Sequence, residues 1–205
     1  MLLYCVRHAE STANVSHVFP DDENNPPTLT KRGVKQAMRT ASALRPMAVE
    51  AILSSPMLRT RLTAECISRR LGVGYEVDER LRELAPGGLA GKNYVELARS
   101  NPGWHEELFS DGTEFGMEKF SSVVRRMGLM LQDVHRRGLR RVVVVTHLEP
   151  VRALLSMALG EGGEYARRFR ISNAALSIFS YEDSALKARC INWLPLREYL
   201  DDSRV

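Results

Sequence analysis

The stretch "MLLYCVRHAES" (residues 1–11) is apolar through Val6 and then passes straight to Arg7, His8 and Glu10, with no turn residue between. "RVVVVTHLEP" (residues 141–150) makes nearly the same change, from a run of valines to Thr146, His147 and Glu149. A short continuous apolar run of this kind reads as a strand buried on both faces of a sheet. The polar residues that follow it stand where the strand leaves the sheet. In open α/β sheets ligands bind beyond the carboxyl ends of the strands. His8 and His147 are therefore expected on one rim.

The rest of the chain fits such a sheet. "TLTKRGVKQAMRTASALRP" (28–46) predicts a helix capped by Thr30 and ended by Pro46, with Val34, Ala37, Met38, Ala41 and Leu44 on its apolar face. "VEAILSS" (49–55) predicts a second strand. "SPMLRTRLTAECISRRLG" (55–72) predicts a second helix, with Ser55 as N-cap, Pro56 at the first helical position and Leu58, Leu62, Cys66 and Leu71 on the apolar face. "YEV" (75–77) is a short third strand, and 80–112 is irregular and rich in Gly and Pro. A helix is expected over 113–136 from the spacing of Phe120, Val123, Val124, Met127, Leu131 and Val134, with Met130 and Leu131 as core packing. After the strand at 141–145, "EPVRALLSMALG" (149–160) predicts a helix, and "ALSIFSY" (175–181) and "ALKARCINWL" (185–194) two closing strands. Strands alternating with helices specify a three-layer α/β/α sandwich around a mostly parallel sheet. It is expected as one domain over 1–205, with 84–112 capping the site.

The composition belongs to an ordinary globular chain: 205 residues, 44% hydrophobic and 26% charged. Disorder fits only the ends and "PDDENNPPT" (20–28). No apolar run approaches the ~20 residues of a membrane span, and residues 1–6 are too short for a signal-peptide core. The chain reads as mature, cytoplasmic and free of membrane. Cys5, Cys66 and Cys190 are far apart and odd in number, so they read as buried thiols rather than as disulfides or metal ligands. The net charge of +4 favours anionic partners. "HRRGLRR" (135–141) lacks interleaved aromatics and reads as a solvated helix end and strand start, not a nucleic-acid surface. Association into a homodimer is left open.

Arg59 lies in the first turn of the helix after the second strand and so faces the same rim as the two histidines. The helix after His147 offers its free N–H groups there. Two imidazoles, Arg7, Arg59 and helix N-termini suit a compact, highly charged anion such as phosphate. A histidine among cations has a depressed pKa and stays neutral. A neutral imidazole can attack phosphorus to give a phosphohistidine while the cations stabilise the transferring group. The leaving oxygen needs a proton, for which Glu83, Glu149 and Glu10 are candidates. His17, His105 and His135 read as surface or core residues. No metal-ligand spacing is present, and no cofactor is implied.

At these residues the chain resembles the histidine phosphatase superfamily, with its phosphoglycerate-mutase-like fold, from Leu2 to about Leu194. "RHAESTAN" (7–14) resembles the family's R-H-G-E-S-x-x-N, which implies His8 as nucleophile and Arg7 and Asn14 as phosphate ligands. "LTKRGVKQA" (29–37) is similar to L-T-x-x-G-x-x-Q-A. "SSPMLRTRLTAE" (54–65) resembles S-x-x-x-R-x-x-x-T-A, implying Arg59 as a phosphate ligand. "VTHLEPVRAL" (145–154) resembles the second-histidine motif, implying His147 in phosphate binding and transition-state stabilisation. "RELAPGGLAGKN" (82–93) resembles the proton-donor segment, implying Glu83 as general acid and then base. "GTEFGMEKFSSVVRR" (112–126) resembles a G-E-S helix start, with Glu114 in the glutamate's place.

Some positions depart from that pattern. Ala9 replaces a glycine. Leu148 and Glu149 replace the glycines after the second histidine. The Leu148 N–H is expected to reach phosphate, and Glu149 is the alternative acid. Glu10, Ser11, Tyr94 and Trp104 are candidate substrate contacts. The mutase-type tyrosine before the glycines is Pro86 here, the following lysine is Tyr94, and the paired arginines of the mutase insertion are missing from 95–112. The reading is thus a metal-independent phosphomonoester hydrolase acting on a small phosphorylated metabolite. A bisphosphoglycerate-dependent phosphoglycerate mutase is the first alternative, and a non-catalytic phospho-ligand or protein-binding member the second.

Overall fold

A computed structural model describes residues 1–102 and 115–195. Six strands form one sheet: β1 (Leu2–Arg7), β2 (Ala51–Ser54), β3 (Tyr75–Val77), β4 (Arg141–Thr146), β5 (Leu176–Glu182) and β6 (Ala185–Trp193). Their order is β3-β2-β4-β1-β5-β6. The β1, β2, β3 and β4 pairings are parallel, and β5 runs antiparallel to β1 and β6. The expected α/β sandwich with a mostly parallel sheet is what the chain forms.

Both faces of the sheet are covered. Leu3, Cys5, Leu53, Val142 and Val144 point into one core, with Val123, Met127 and Leu131 of α5 (Phe120–Arg136) and Leu154 of α6 (Leu148–Leu159). Tyr4, Val6, Ile52, Val143 and Val145 point into the other, with Ala41 and Leu44 of α2 (Lys31–Leu44) and Ala64 and Ile67 of α3 (Leu58–Leu71). Alternate side chains of a strand leave opposite faces. A strand buried on both sides therefore has to be apolar throughout, which is why β1 and β4 read as unbroken runs.

Two helical faces are rotated from the expected ones. In α2 the buried residues include Gly33, Gln36, Ala37, Thr40 and Ala41, while Val34 and Met38 are exposed. The cause is Gly33: a Cβ there would lie 2.0 Å from the Glu10 carbonyl oxygen, so the glycine side of the helix is the one that packs on the strand-end loop. Thr30 caps α2 as expected, its hydroxyl accepting from the Gly33 N–H at 2.9 Å. In α3 the buried face is Arg59, Thr60, Thr63, Ala64 and Ile67, not Leu58, Leu62, Cys66 and Leu71. The helix starts at Leu58 with Met57 as N-cap, so Ser55 is not the cap.

The segment expected to be irregular carries short turns at Glu79–Leu81 and Gly87–Leu89 and a helix, α4 (Tyr94–Ser100), capped by Asn93. Two further short helices were not anticipated: α1 (Thr12–Ser16) and α7 (Gly163–Arg167). The helix expected from 113 begins at Phe120 instead. Trp104, His105 and Glu114 lie outside the described residues. Cys5 is buried, whereas Cys66 and Cys190 are half-buried, and all three are free thiols. Three of the four arginines in 135–141 are paired, Arg136 with Asp133, Arg137 with Glu76 and Arg141 with Glu50. Among the described residues no helix is long and apolar enough to cross a membrane.

Candidate active site

The parallel pairing of β1 with β4 puts Arg7 opposite Thr146, and the His8 N–H donates to the Thr146 carbonyl at 2.8 Å. The next residue on each strand is a histidine. The two rings stand 5.2 Å apart between centroids, with their planes at 61°. Both are buried. His8 Nδ1 lies 2.8 Å from the Ala9 carbonyl oxygen. A carbonyl can only accept, so Nδ1 carries the hydrogen and Nε2 keeps its lone pair. Burial holds the His8 imidazole well below the usual histidine range, and the Arg59 and Arg7 charges add to this. His147 is lowered in the same way, first by burial and then by Arg59, His8, Arg7 and Arg126.

The residues around the rings are held by short-range bonds. His147 Nε2 is 2.8 Å from the Ser55 hydroxyl, which also accepts from the Met57 N–H at 3.4 Å. His147 Nδ1 is buried with no hydrogen-bond partner, and it carries the ring hydrogen in the tautomer whose Nε2 accepts from Ser55. The Nε atoms of Arg7 and Arg59 are buried and unpartnered too. Buried donors are normally satisfied, so three of them around two imidazoles mark a site built for an acceptor-rich anion. Arg7 also donates to the Ile171 carbonyl at 2.5 Å. Arg59, with its side chain 1% exposed, donates to Asp22 Oδ1 at 2.5 Å. Asp22 comes from the 20–28 segment where disorder was expected; here it is pinned onto a site arginine.

Asn14 is oriented by three donors on its Oδ1: the Ser11 N–H and hydroxyl, each at 3.0 Å, and Asn173 Nδ2 at 3.1 Å. Its own amide N–H groups are therefore the side left for a ligand. Ser11 is fully buried and spends its hydroxyl on Asn14, so it positions that residue rather than meeting substrate. Glu10, expected as a substrate contact or acid, turns away: its carboxylate accepts from the Thr30 hydroxyl at 2.7 Å and Arg32 at 3.4 Å. Tyr94 borders the cavity and pairs its hydroxyl with His17 Nδ1 at 2.9 Å.

Glu83 lies against the start of α6. Its Oε2 accepts from the Leu148 N–H and its Oε1 from the Glu149 N–H, each at 3.1 Å, and Oε1 also accepts from the Leu84 N–H at 3.0 Å. The Leu148 amide expected to face phosphate is thus held by the expected proton donor. Arg126 fixes that segment, donating to the Arg80 carbonyl at 2.5 Å and the Glu83 carbonyl at 3.2 Å while paired with Glu118. Glu149 is buried. Its Oε1 accepts from Arg152 at 2.8 Å and its Oε2 has no partner. Burial pushes its carboxyl up to about 7, helped by the nearby Glu83 charge and opposed by Arg152.

These groups open on a cavity of about 410 Å³. His8 is among its lining residues and the fully buried His147 is not; Val18, Phe19, Pro20, Leu84, Pro86 and Met117 give it an apolar part beside the charged groups. The structure brings together Arg7, His8, Asn14, Arg59, Glu83, His147, Leu148 and Glu149, all of them named from the sequence. Sequence reasoning missed Asp22, which no pattern marks, and Ser55, whose place before a helix read as a cap. Arg152 could have been found, three residues after Glu149 on one helix face.

A rim of parallel strand ends carrying two neutral imidazoles, two arginines and a helix N-terminus defines a phosphate-handling α/β enzyme. The histidine phosphatase superfamily (branch 1) family model matches residues 3–194, and the chain belongs to that family. It is 30% identical over 187 residues to a probable phosphoglycerate mutase GpmB of Salmonella paratyphi A, covering 89% of this chain and 86% of the relative. An Escherichia coli protein of the same description is 31% identical over 189 residues, with the same coverage. Among solved structures, a mycobacterial glucosyl-3-phosphoglycerate phosphatase superposes with a TM-score of 0.83 at 23% identity, covering 93% of this chain and 98% of that one. A putative alpha-ribazole-5'-P phosphatase from Escherichia coli gives 0.80 at 20% identity, with 94% and 97% covered.

Proposed function

We propose that the protein hydrolyses a small phosphomonoester through a phosphohistidine on His8. The observation that carries this reading is the His8 ring itself, buried, neutral and bonded through Nδ1 to a carbonyl so that Nε2 is the free base. Nε2 attacks phosphorus, and the bond from phosphorus to the ester oxygen breaks. Arg7, Arg59, Asn14 and the His147 Nδ1–H hold the equatorial oxygens. Phosphate also claims the Leu148 N–H, and Glu83, released from that amide, gives its proton to the leaving oxygen. Water then attacks phosphorus as the Glu83 carboxylate takes its proton, the phosphorus–nitrogen bond breaks to restore the lone pair of His8 Nε2, and inorganic phosphate leaves. Glu149, buried beside Glu83 with one unpartnered oxygen, is the alternative proton source.

The chemistry needs no metal, since arginines and amides supply the positive charge. Among the described residues no group of three His, Cys, Asp or Glu could hold a metal ion. Three free thiols fit a reducing, cytoplasmic setting. Pro86 and Tyr94 stand where mutase-type residues are expected, and much of the remaining cavity lining is apolar. This supports water rather than a second phosphoglycerate as acceptor, although the relatives that are 30% and 31% identical carry a mutase description. With 3-phosphoglycerate, and after priming by 2,3-bisphosphoglycerate, the protein should release inorganic phosphate faster than it forms 2-phosphoglycerate. The reverse order would make it a mutase.

A further inference from the structure

A second cavity, of about 460 Å³, lies on the other side of Arg7, Leu148 and Arg152, the three residues that border both cavities. Its charge differs from that of the catalytic cavity. The catalytic cavity sets Arg7, Arg59 and Arg152 against Asp22, Glu83 and Glu149. The second one gathers Arg7, Arg32, Arg152 and Arg170 against Glu10 alone. Glu10 is already engaged by Thr30 and Arg32. Gln36 adds an oriented donor: its Oε1 accepts from the Glu10 N–H at 2.9 Å, which leaves the NH₂ side of the amide for a ligand. Arg170 is exposed and makes no ion pair with another described residue.

Four guanidinium groups, of which Arg152 is paired with Glu149 and Arg32 with Glu10, converge on a concave surface and leave a positive potential that a carboxylate or phosphate relieves. In the catalytic cavity Arg59 is already paired with Asp22 and Arg152 with Glu149, so less positive charge is left over there. We propose that the second cavity binds an anionic group, phosphate or carboxylate, in addition to the phosphoryl group over His8. Arg32 and Arg170 are its dedicated ligands, and Arg7 and Arg152 form the shared wall. The anion is either the distal charged group of the substrate or a separate small anion. The first case rests on the phosphatase reading; the second stands without it.

The test uses the whole chain and the double variant Arg32→Ala/Arg170→Ala, whose side chains are outside the catalytic cavity. A control variant, Arg69→Ala/Arg70→Ala, removes the same charge at the far end of α3. In one arm kcat/KM is compared for 3-phosphoglycerate, which carries a carboxylate, and p-nitrophenyl phosphate, which carries no second anion. In the other, citrate binding is measured by calorimetry with inorganic phosphate saturating the catalytic cavity. A loss of about tenfold for 3-phosphoglycerate, with p-nitrophenyl phosphate within about twofold, assigns the site to the substrate. A loss of about tenfold in citrate affinity alone assigns it to a separate anion. Unchanged values in both arms, or equal losses in the control, overturn the proposal. The citrate arm reads binding only, so it is informative even if the protein hydrolyses neither ester.

Discussion

Asp22 rests on Arg59, its Oδ1 accepting from Nη1 at 2.5 Å, so a carboxylate of the chain covers a guanidinium proposed to hold phosphate. The pair is largely buried, with side chains 17% and 1% exposed. A phosphate that binds Arg59 has to displace or share that contact. Asp22→Asn should therefore tighten inorganic phosphate, read as a competitive inhibition constant, by about tenfold. The same change leaves a buried guanidinium without its charge partner. The melting temperature should fall in phosphate-free buffer and recover with phosphate. Weaker phosphate binding in the variant would mean that Asp22 helps to build the site rather than compete for it.

Glu83 accepts from three backbone amides and is the carboxyl assigned to the leaving oxygen. Glu83→Gln should lower kcat on an alkyl phosphate by about 10²–10⁴-fold, the usual worth of a general acid. On p-nitrophenyl phosphate, whose leaving group needs no proton, the first step should lose far less. Equal losses on both esters would move the acid role to Glu149.

Glu149 gives the pH dependence. Its carboxyl is raised from 4.5 to about 7, chiefly by burial. A carboxyl raised in the folded state contributes stability that is complete below its unfolded value and lost as pH rises through the folded one. Relative to Glu149→Gln, the wild type should thus lose melting temperature as pH rises from about 4.5 to about 7. The histidines act in the opposite direction. Their lowered values make their contribution complete above the ordinary histidine range and lost as pH falls below it. The wild type should therefore also weaken in mild acid. Identical pH curves for wild type and Glu149→Gln would show that Glu149 is not the group being ionised.

Gly33 lets α2 close on the loop that carries His8. A Cβ there would meet the Glu10 carbonyl oxygen at 2.0 Å, and backbone cannot swing aside as a flexible side chain can. Gly33→Ala should cost about 1–3 kcal/mol by denaturant unfolding and lower activity with it, because the shifted backbone is two residues from His8. A fully stable, fully active variant would contradict this packing.

Much of this was legible in the sequence because two constraints coincide at the strand ends. β1 and β4 have to be apolar on both faces, so the point where each turns polar marks the rim, and His8 and His147 follow directly. The helical faces were less legible. In α2 the packing residue is a glycine, and in α3 an arginine, Arg59; neither registers in an apolar pattern. Ser55 has the same local sequence whether it caps a helix or holds a histidine, and only the neighbouring strand decides. Asp22 reaches Arg59 across 37 residues from a segment with no periodicity, a contact that only the folded chain makes.

The central claim is that His8 carries the phosphoryl group. The most direct measurement is intact-mass analysis of wild type and His8→Ala, quenched during turnover of p-nitrophenyl phosphate, with fragmentation to locate any adduct. The account predicts an acid-labile phosphoryl adduct on His8 of the wild type, and neither adduct nor turnover in the variant. An adduct on another residue, or substantial turnover by His8→Ala, would contradict it.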